Sequence, residues 1–503
     1  MELCTSIGLS LVAFVILGYF YVKKKYRYWE EKGFFHMKGT FPLGSLPGLG
    51  LTKHVSLGLQ DAYKEMKGKD IIGGLYFMTD HSFLALDLDF LRNVLIKDFQ
   101  YFHDRGVYIN ERDDPLTGHL FGLPGQKWKV LRAKLSPTFT SGKMKMMHST
   151  IIGVAKEFGD FLEPYAKKSE EIEMKEILAR FTTDVIGNCA FGVECNSLKD
   201  PNAEFRRVGK KAFSFTPLLM LKAICAQAFP NLARTLRLKM TDDEVTDFFM
   251  KLLRDTIDYR EKNNVKRNDF LSLLIQLKNT GKLEGDNVDL GKLTFEELAA
   301  QTFVFFFAGF ETSSATMAFA LYELALDQEM QERARKEVKA VLEKHGGEFT
   351  YEACGELQYL ERIISETLRK YPVVDNLLRI TSNDYQIPGD NRIIEKGTQM
   401  AVPVYAIHHD PEIWPNPERF DPDRFTEENV KNRHPFAYLP FGEGPRMCIG
   451  MRFGLMQTRV GLATILSKYR INVTQKTPIP MAFVAASAFL SPKGGMWLRI
   501  EEI

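Results

Sequence analysis

Chemistry concentrates in one ten-residue run, Phe441-Gly442-Glu443-Gly444-Pro445-Arg446-Met447-Cys448-Ile449-Gly450. A lone cysteine stands in a Gly/Pro-rich loop, with an arginine two residues before it and a glycine two residues after. The apolar stretch that follows, Met451 to Leu466, reads as a helix. Backbone N–H groups crowded around a sulfur stabilise its charge, and glycines let the chain approach a flat ligand closely. Such a thiolate suits an axial ligand to haem iron, so Cys448 is the candidate metal ligand.

A second centre lies on a predicted helix. Thr294-Phe295-Glu296-Glu297 is a capping box opening an apolar run that continues to about Leu326. At 1.5 Å per residue that helix is roughly 50 Å long, enough to cross a whole domain. Its middle reads Ala308-Gly309-Phe310-Glu311-Thr312-Ser313. A helical glycine costs about 1 kcal/mol relative to alanine, and an acid and a hydroxyl cost more when buried without partners. Penalties gathered at one place point to function. The small residues leave room for a flat cofactor and a diatomic ligand. Thr312 can interrupt the helix ladder to hydrogen-bond that ligand, and Glu311 can relay protons to it. Glu311 and Thr312 are therefore the candidate catalytic pair.

The pattern Phe-x-x-Gly-x-Arg-x-Cys-x-Gly, matched by Phe441, Gly444, Arg446, Cys448 and Gly450, resembles that of the cytochrome P-450 superfamily. The 308–313 segment is similar to that family's distal Ala/Gly-Gly-x-Asp/Glu-Thr-Thr/Ser motif. Asp114-Pro115-Leu116, residues 135–143, 310–314 and 452–457 are similar to the insect family six, whose members commonly oxidise plant toxins and insecticides. The resemblance covers nearly the whole chain. It implies a mainly α (α+β) haem domain with a smaller β region, preceded by one transmembrane helix. It also implies haem-thiolate monooxygenase activity, inserting one atom of O2 into a lipophilic molecule.

Further residues take roles from the same resemblance. Trp128 and Arg132, an i,i+4 pair, would hold a haem propionate, with Arg379, Arg446 and Arg105 beside them. Ala308 and Phe441 would also contact the cofactor. Glu366 and Arg369, with Arg419 from Pro417-Glu418-Arg419-Phe420, would form a buried network that holds the architecture. Substrate contacts would come from Val107, Tyr108, Leu116, His119, Phe121, Phe303, Phe307, Val374, Leu377 and Phe489. The segments carrying them are mainly apolar, which favours a lipophilic substrate.

Several elements must position these groups. The chain has 503 residues, 45% of them apolar and 26% charged, an ordinary globular composition. A net charge of +2 shows no bias toward nucleic acid. Cysteines at 4, 189, 195, 225, 354 and 448 include no Cys-x-x-Cys pair and fit a reducing compartment. Leu3 to Val22 is uncharged and spans roughly 30 Å as a helix, the thickness of a hydrocarbon core. Glu2 precedes it and Lys23, Lys24, Lys25 and Arg27 follow, a polarity that puts the body in the cytosol; the resemblance implies that the membrane is that of the endoplasmic reticulum. Three units result: an anchor (1–22), a Gly-rich juxtamembrane linker (23–50) and a haem domain (51–503). Residues 55–67 read as an amphipathic helix, 73–86 as strands around a turn, and 399–404 and 495–500 as further strands. The polar stretch 260–292, with a short apolar run at 270–277, reads as a surface connection. Phe215 to Phe229 is apolar enough to dip into the membrane surface.

The chain has no Gly-x-Gly-x-x-Gly and no flavin segment, so electrons must arrive from outside. The resemblance implies NADPH through a membrane-bound flavoprotein reductase, with cytochrome b5 an optional second donor. Lys127, Lys129, Lys134, Lys143 and Lys145 offer a basic docking surface. Alternatives are oxidation of endogenous lipids or hormones, a haem-thiolate isomerase or dehydratase, and a haem sensor or carrier. The last two need no proton relay, which the Glu311-Thr312 pair disfavours.

Overall fold

The computed structural model describes residues 16–213, 216–283 and 290–503. Its longest element begins at the capping box. The Glu297 N–H donates to the Thr294 hydroxyl (3.1 Å), and the Thr294 N–H donates to the Glu297 carboxylate (2.9 Å). The central helix that follows spans Phe295–Leu326. It is apolar all round, so other helices must enclose it. Met174–Ile186 and Met451–Lys468 pack along its length, and Gln358–Lys370 packs beside them. Among the described residues it is the one helix long and apolar enough to cross a membrane. Because 67% of its apolar window is buried in the fold, it is a core helix.

Among the described residues, nine short strands form three sheets beside this helical body. They are β1 (Ile72–Phe77), β2 (Asp80–Ala85), β3 (Glu171–Glu173), β4 (Leu377–Ile380), β5 (Tyr385–Gln386), β6 (Ile393–Ile394), β7 (Gln399–Val402), β8 (Tyr469–Val473) and β9 (Trp497–Glu502). The largest sheet has the order β1-β2-β7-β4, antiparallel except for the β2–β7 pair. The others are β3-β9-β8 and β5-β6. Helix Val55–Met66 and the β1–β2 hairpin follow the sequence pattern closely.

Much of the stretch expected as a linker packs against the sheet. Trp29 is fully buried and its indole N–H donates to the Leu75 carbonyl (3.0 Å) on β1. Gly44, at φ +85°, lies so near the strand that a Cβ there would sit 2.1 Å from the Tyr76 oxygen. The stretch 28–45 is thus part of the sheet's outer layer. Most of the expected anchor lies outside the described residues. Residues 16–25 are helical and expose Ile16, Leu17, Tyr19, Phe20 and Tyr21.

Two other expectations are corrected. The run at 270–277 is no surface connection: it opens the helix Phe270–Thr280, which buries Phe270, Leu271, Leu273, Leu274 and Leu277. Asp269 caps that helix at Ser272 N–H (2.8 Å) and also holds the buried Arg260 through two bonds (2.9 and 2.6 Å). The second correction concerns the buried network. Glu366 and Arg369 are fully buried, joined by bonds of 2.7 and 2.8 Å. The third arginine is Arg424, an ion-pair partner of Glu366 at 3.4 Å, and not Arg419. Arg419 exposes its side chain and contributes only its carbonyl, which accepts from Arg369 (3.4 Å). The chain carries two Pro-x-Arg-Phe copies, and only the second, Pro422-Asp423-Arg424-Phe425, turns its arginine inward.

Burial pushes the Glu366 carboxyl up, and Arg369 opposes that shift. Arg369→Ala strands the carboxylate and costs about 3–5 kcal/mol, so haem-loaded protein does not accumulate. Arg419→Ala changes stability by no more than about 0.5 kcal/mol, as for an ordinary surface substitution. Haem content per purified protein separates the two variants.

Candidate active site

A mainly apolar cavity of about 990 Å³ lies between the central helix and the loop that carries Cys448. One wall is the central helix, through Phe303, Phe307, Ala308, Gly309, Thr312 and Ser313. The opposite wall is the cysteine loop, with Phe441, Arg446, Cys448 and Gly450. Glycine is required at two loop positions. Gly442 and Gly444 have φ of +70° and +75°, and a Cβ on Gly444 would lie 2.0 Å from the Leu95 carbonyl oxygen. The Cys448 N–H donates to the Phe441 carbonyl (2.9 Å), which closes the loop.

Cys448 has exposed surface, but that surface opens onto the cavity, and protein atoms enclose the group. Burial raises its thiol; the Gly450 N–H, Arg132 and Arg105 act against that by favouring the thiolate. The other described cysteines differ. Cys189 lines the cavity beside the central helix but is buried, with its thiol pushed up by burial. Cys354 lies outside the cavity, 3.6 Å from His148, with its thiol pushed up to about 11. Cys195 is buried and its thiol raised, while Cys225 is exposed on the helix Pro217–Ala228.

Four arginines reach the cavity near Cys448. Arg105 donates to the Phe121 carbonyl (2.9 Å) and stacks on that ring (4.1 Å). Arg132, from helix Gly125–Leu135, donates to the Met447 carbonyl (3.0 Å). Arg379, on β4, donates to the Leu378 carbonyl (2.8 Å) while its Nε is buried with no partner among the described residues. Arg446 is more committed than expected: it donates to the carbonyls of His103 (2.7 Å), Leu120 (3.3 Å) and Leu123 (2.8 Å). It also stacks on Trp128 (3.9 Å) and lies 3.5 Å from Asp104. Three of its five N–H donors are taken, so its first task is to brace the loop. Burial lowers all four guanidinium groups, Arg379 to about 10 and Arg446 to about 9. Guanidinium stays charged in proteins, so the cluster is strongly cationic, with Asp104 the acid ion-paired to it.

This donor set fits a flat dianionic cofactor. Cationic N–H groups suit two carboxylates, the orphan Arg379 Nε is a ready donor, and a Cβ on Gly450 would meet no protein atom within 4 Å.

The expected catalytic pair divides. Thr312 lines the cavity, and the helix continues unbroken through it; its hydroxyl donates to the Ala308 carbonyl (2.7 Å). Glu311 does not reach the cavity: its carboxylate pairs with Lys175 (2.6 Å) on helix Met174–Ile186. The ten expected substrate residues, Val107, Tyr108, Leu116, His119, Phe121, Phe303, Phe307, Val374, Leu377 and Phe489, all touch the cavity. Phe213 backs it, stacked on Phe307 at 3.8 Å. His119 accepts the Gly122 N–H (3.2 Å) and burial lowers it to about 4, so it is neutral near pH 7. The lysine surface is partly neutralised, since Lys127 pairs with Glu111, Lys145 with Glu352, and Lys134 donates to the Lys292 carbonyl. Lys129 and Lys143 have no carboxylate partner among the described residues. Sequence reasoning missed Gln457, a buried cavity residue whose amide donates to the Gly309 carbonyl (2.8 Å). Its one signal was its place in the 452–457 segment.

The loop, the cation cluster and the facing helix define a haem-thiolate site. The family model for cytochrome P450 matches residues 42–499. Relatives include probable cytochrome P450 6a14 of Drosophila melanogaster, 45% identical over 98% of this chain and 99% of that protein. Cytochrome P450 6a2 of the same species is 46% identical over 97% of each chain. Cytochrome P450 6A1 of Musca domestica is 44% identical over 97% of this chain and 96% of that one. The chain belongs to the cytochrome P450 family and is a haem-binding monooxygenase similar to insect family-six members.

Gly444→Ala forces a left-handed backbone onto a residue with a Cβ, 2.0 Å from the Leu95 oxygen. The expected result is loss of haem-loaded protein, read as haem per polypeptide after purification.

Proposed function

We propose that this chain is a membrane-anchored monooxygenase acting on lipophilic foreign compounds, such as plant toxins or insecticides. Its electrons would come from NADPH through a flavoprotein reductase. The observation that carries this reading is an apolar cavity with Cys448 on one wall and Thr312 on the facing helix. Haem held by a cysteine thiolate supplies reductive O2 activation, with the thiolate favouring O–O cleavage.

The chain's own residues have distinct tasks in this reading. Cys448 would ligate the iron; burial raises its thiol, and the Gly450 N–H, Arg132 and Arg105 oppose that shift in favour of the thiolate. Arg105, Arg132, Arg379 and Trp128 hold the cofactor's carboxylates, while Arg446 braces the loop. Phe303, Phe307 and Phe489 exclude water and orient an apolar substrate. The Thr312 oxygen faces the cavity as a hydrogen-bond acceptor, because its proton is engaged by Ala308; it donates only by releasing that carbonyl. Proton delivery through Glu311 requires its carboxylate to leave Lys175.

Leu3 to Val22 would anchor the protein in the endoplasmic reticulum membrane. The exposed apolar residues at 16–21, and Leu218, Leu221 and Phe229, support a membrane-facing side. Lys129 and Lys143 would help to dock the reductase, and cytochrome b5 where it takes part.

Full-length protein with reductase, NADPH and O2 should oxidise members of a lipophilic xenobiotic panel faster than fatty acids. Thr312→Ala should retain haem but give at least about tenfold less product per NADPH consumed, the balance appearing as peroxide. Unchanged coupling in that variant would remove Thr312 from proton handling. A preference for fatty acids would replace foreign compounds by endogenous lipids as the substrate class.

A further inference from the structure

The central helix is unusual where it meets the cavity. Five successive backbone carbonyls, residues 308 to 312, each accept a side-chain donor besides their place in the helix. Thr312, Ser314 and Thr316 supply three of these from within the helix (2.7, 3.0 and 2.9 Å). Back-bonding of this kind weakens and bends helices. The other two donors come from neighbouring helices. Thr182, on Met174–Ile186, donates to the Phe310 carbonyl (2.8 Å). Gln457, on Met451–Lys468, donates to the Gly309 carbonyl (2.8 Å) and to the Ser313 hydroxyl (2.5 Å).

Gln457 stands nine residues after Cys448, on the helix that grows directly from the cysteine loop. It is fully buried. Its amide orientation is dictated by chemistry, because the Gly309 carbonyl can face only a donor. That orientation leaves Gln457 Oε1 buried with no partner among the described residues. Unpaired buried acceptors are uncommon and ask for a reason. Gly454, one turn earlier, faces the same Ser313: a Cβ there would lie 3.7 Å from its oxygen.

We infer that Gln457 is a positioning residue for the oxygen-facing wall: it ties the Gly309–Ser313 turn to the cysteine-loop helix and thereby sets where Thr312 presents its hydroxyl. The two walls of the cavity are then coupled through one amide. Without it, the glycine-containing turn keeps only its ties to the helix on the other side, the Thr182 bond and the Glu311–Lys175 pair, and Thr312 is free to change its bond to Ala308. This rests on the role of Thr312 proposed above.

The test uses full-length, haem-loaded protein and the variant Gln457→Met, which keeps length and volume but has no donor. Backbone amide hydrogen exchange across residues 308–316 should rise about tenfold, with haem content unchanged. With reductase, NADPH and a panel compound turned over by the wild type, the peroxide fraction of consumed NADPH should rise several-fold toward that of Thr312→Ala. The double variant should be no worse than Thr312→Ala alone. Ser313→Ala removes one of the two acceptors and should give a smaller rise in exchange, which keeps the test open if Gln457→Met fails to load haem. Wild-type exchange and peroxide fraction in Gln457→Met, or wild-type exchange in Ser313→Ala where Gln457→Met fails to load, would overturn the inference. If Thr312→Ala leaves coupling unchanged, the reading of Thr312 falls, while raised exchange in Gln457→Met still supports the pinning.

Discussion

A sulfur anion inside an apolar protein is unstable unless charge and N–H groups face it. The architecture around Cys448 answers that constraint. Two positive-φ glycines fold the loop so that the Gly450 N–H serves the sulfur, while Arg105 and Arg132 bring positive charge to it. Gathering those arginines creates a second constraint, mutual repulsion in a buried space. Asp104, the backbone carbonyls of the 120–123 loop and the Trp128 ring absorb part of it through Arg446. A bound group with two carboxylates would complete the balance.

The central helix serves the same site from the other side. It must be buried to enclose an apolar cavity, yet its turn at the cavity, residues 308–316, carries an acid and several hydroxyls. Each finds a partner: Glu311 takes Lys175, Ser313 takes Gln457, and the threonines turn back on their own helix. The polar centre is therefore satisfied without opening the helix to solvent. Gly309 has a separate reason, since a Cβ there would press 2.7 Å from Ile186 Cδ1 on the neighbouring helix. Close helix packing and a polar cavity wall thus coexist in one turn.

What was legible in the sequence was local. The capping box at Thr294 is stated within four residues and forms as written, and the Gly/Pro spacing around Cys448 folds into a tight loop at the cavity. The ten expected substrate residues came from family resemblance, and all ten line the cavity. Relations across long separations were not legible. Arg419 and Arg424 sit in near-identical Pro-x-Arg-Phe contexts, and only the approach of the second to Glu366 distinguishes them. Glu311 meets Lys175 across 136 residues, so its departure from the cavity could not be read from its own motif. The helix at 270–280 was hidden because its anchor, the Arg260–Asp269 pair, looks like surface charge until both side chains are buried.

The claim that most depends on geometry is that Cys448, and no other cysteine, binds the iron. The reduced carbon monoxide spectrum of purified full-length protein tests it, because thiolate ligation gives a distinctive red-shifted Soret band. Ligation by Cys448 predicts that Cys448→Ser lacks this band, while Cys354→Ser and Cys189→Ser retain it. A thiolate-type band surviving in Cys448→Ser, or lost in haem-loaded Cys354→Ser, would contradict it.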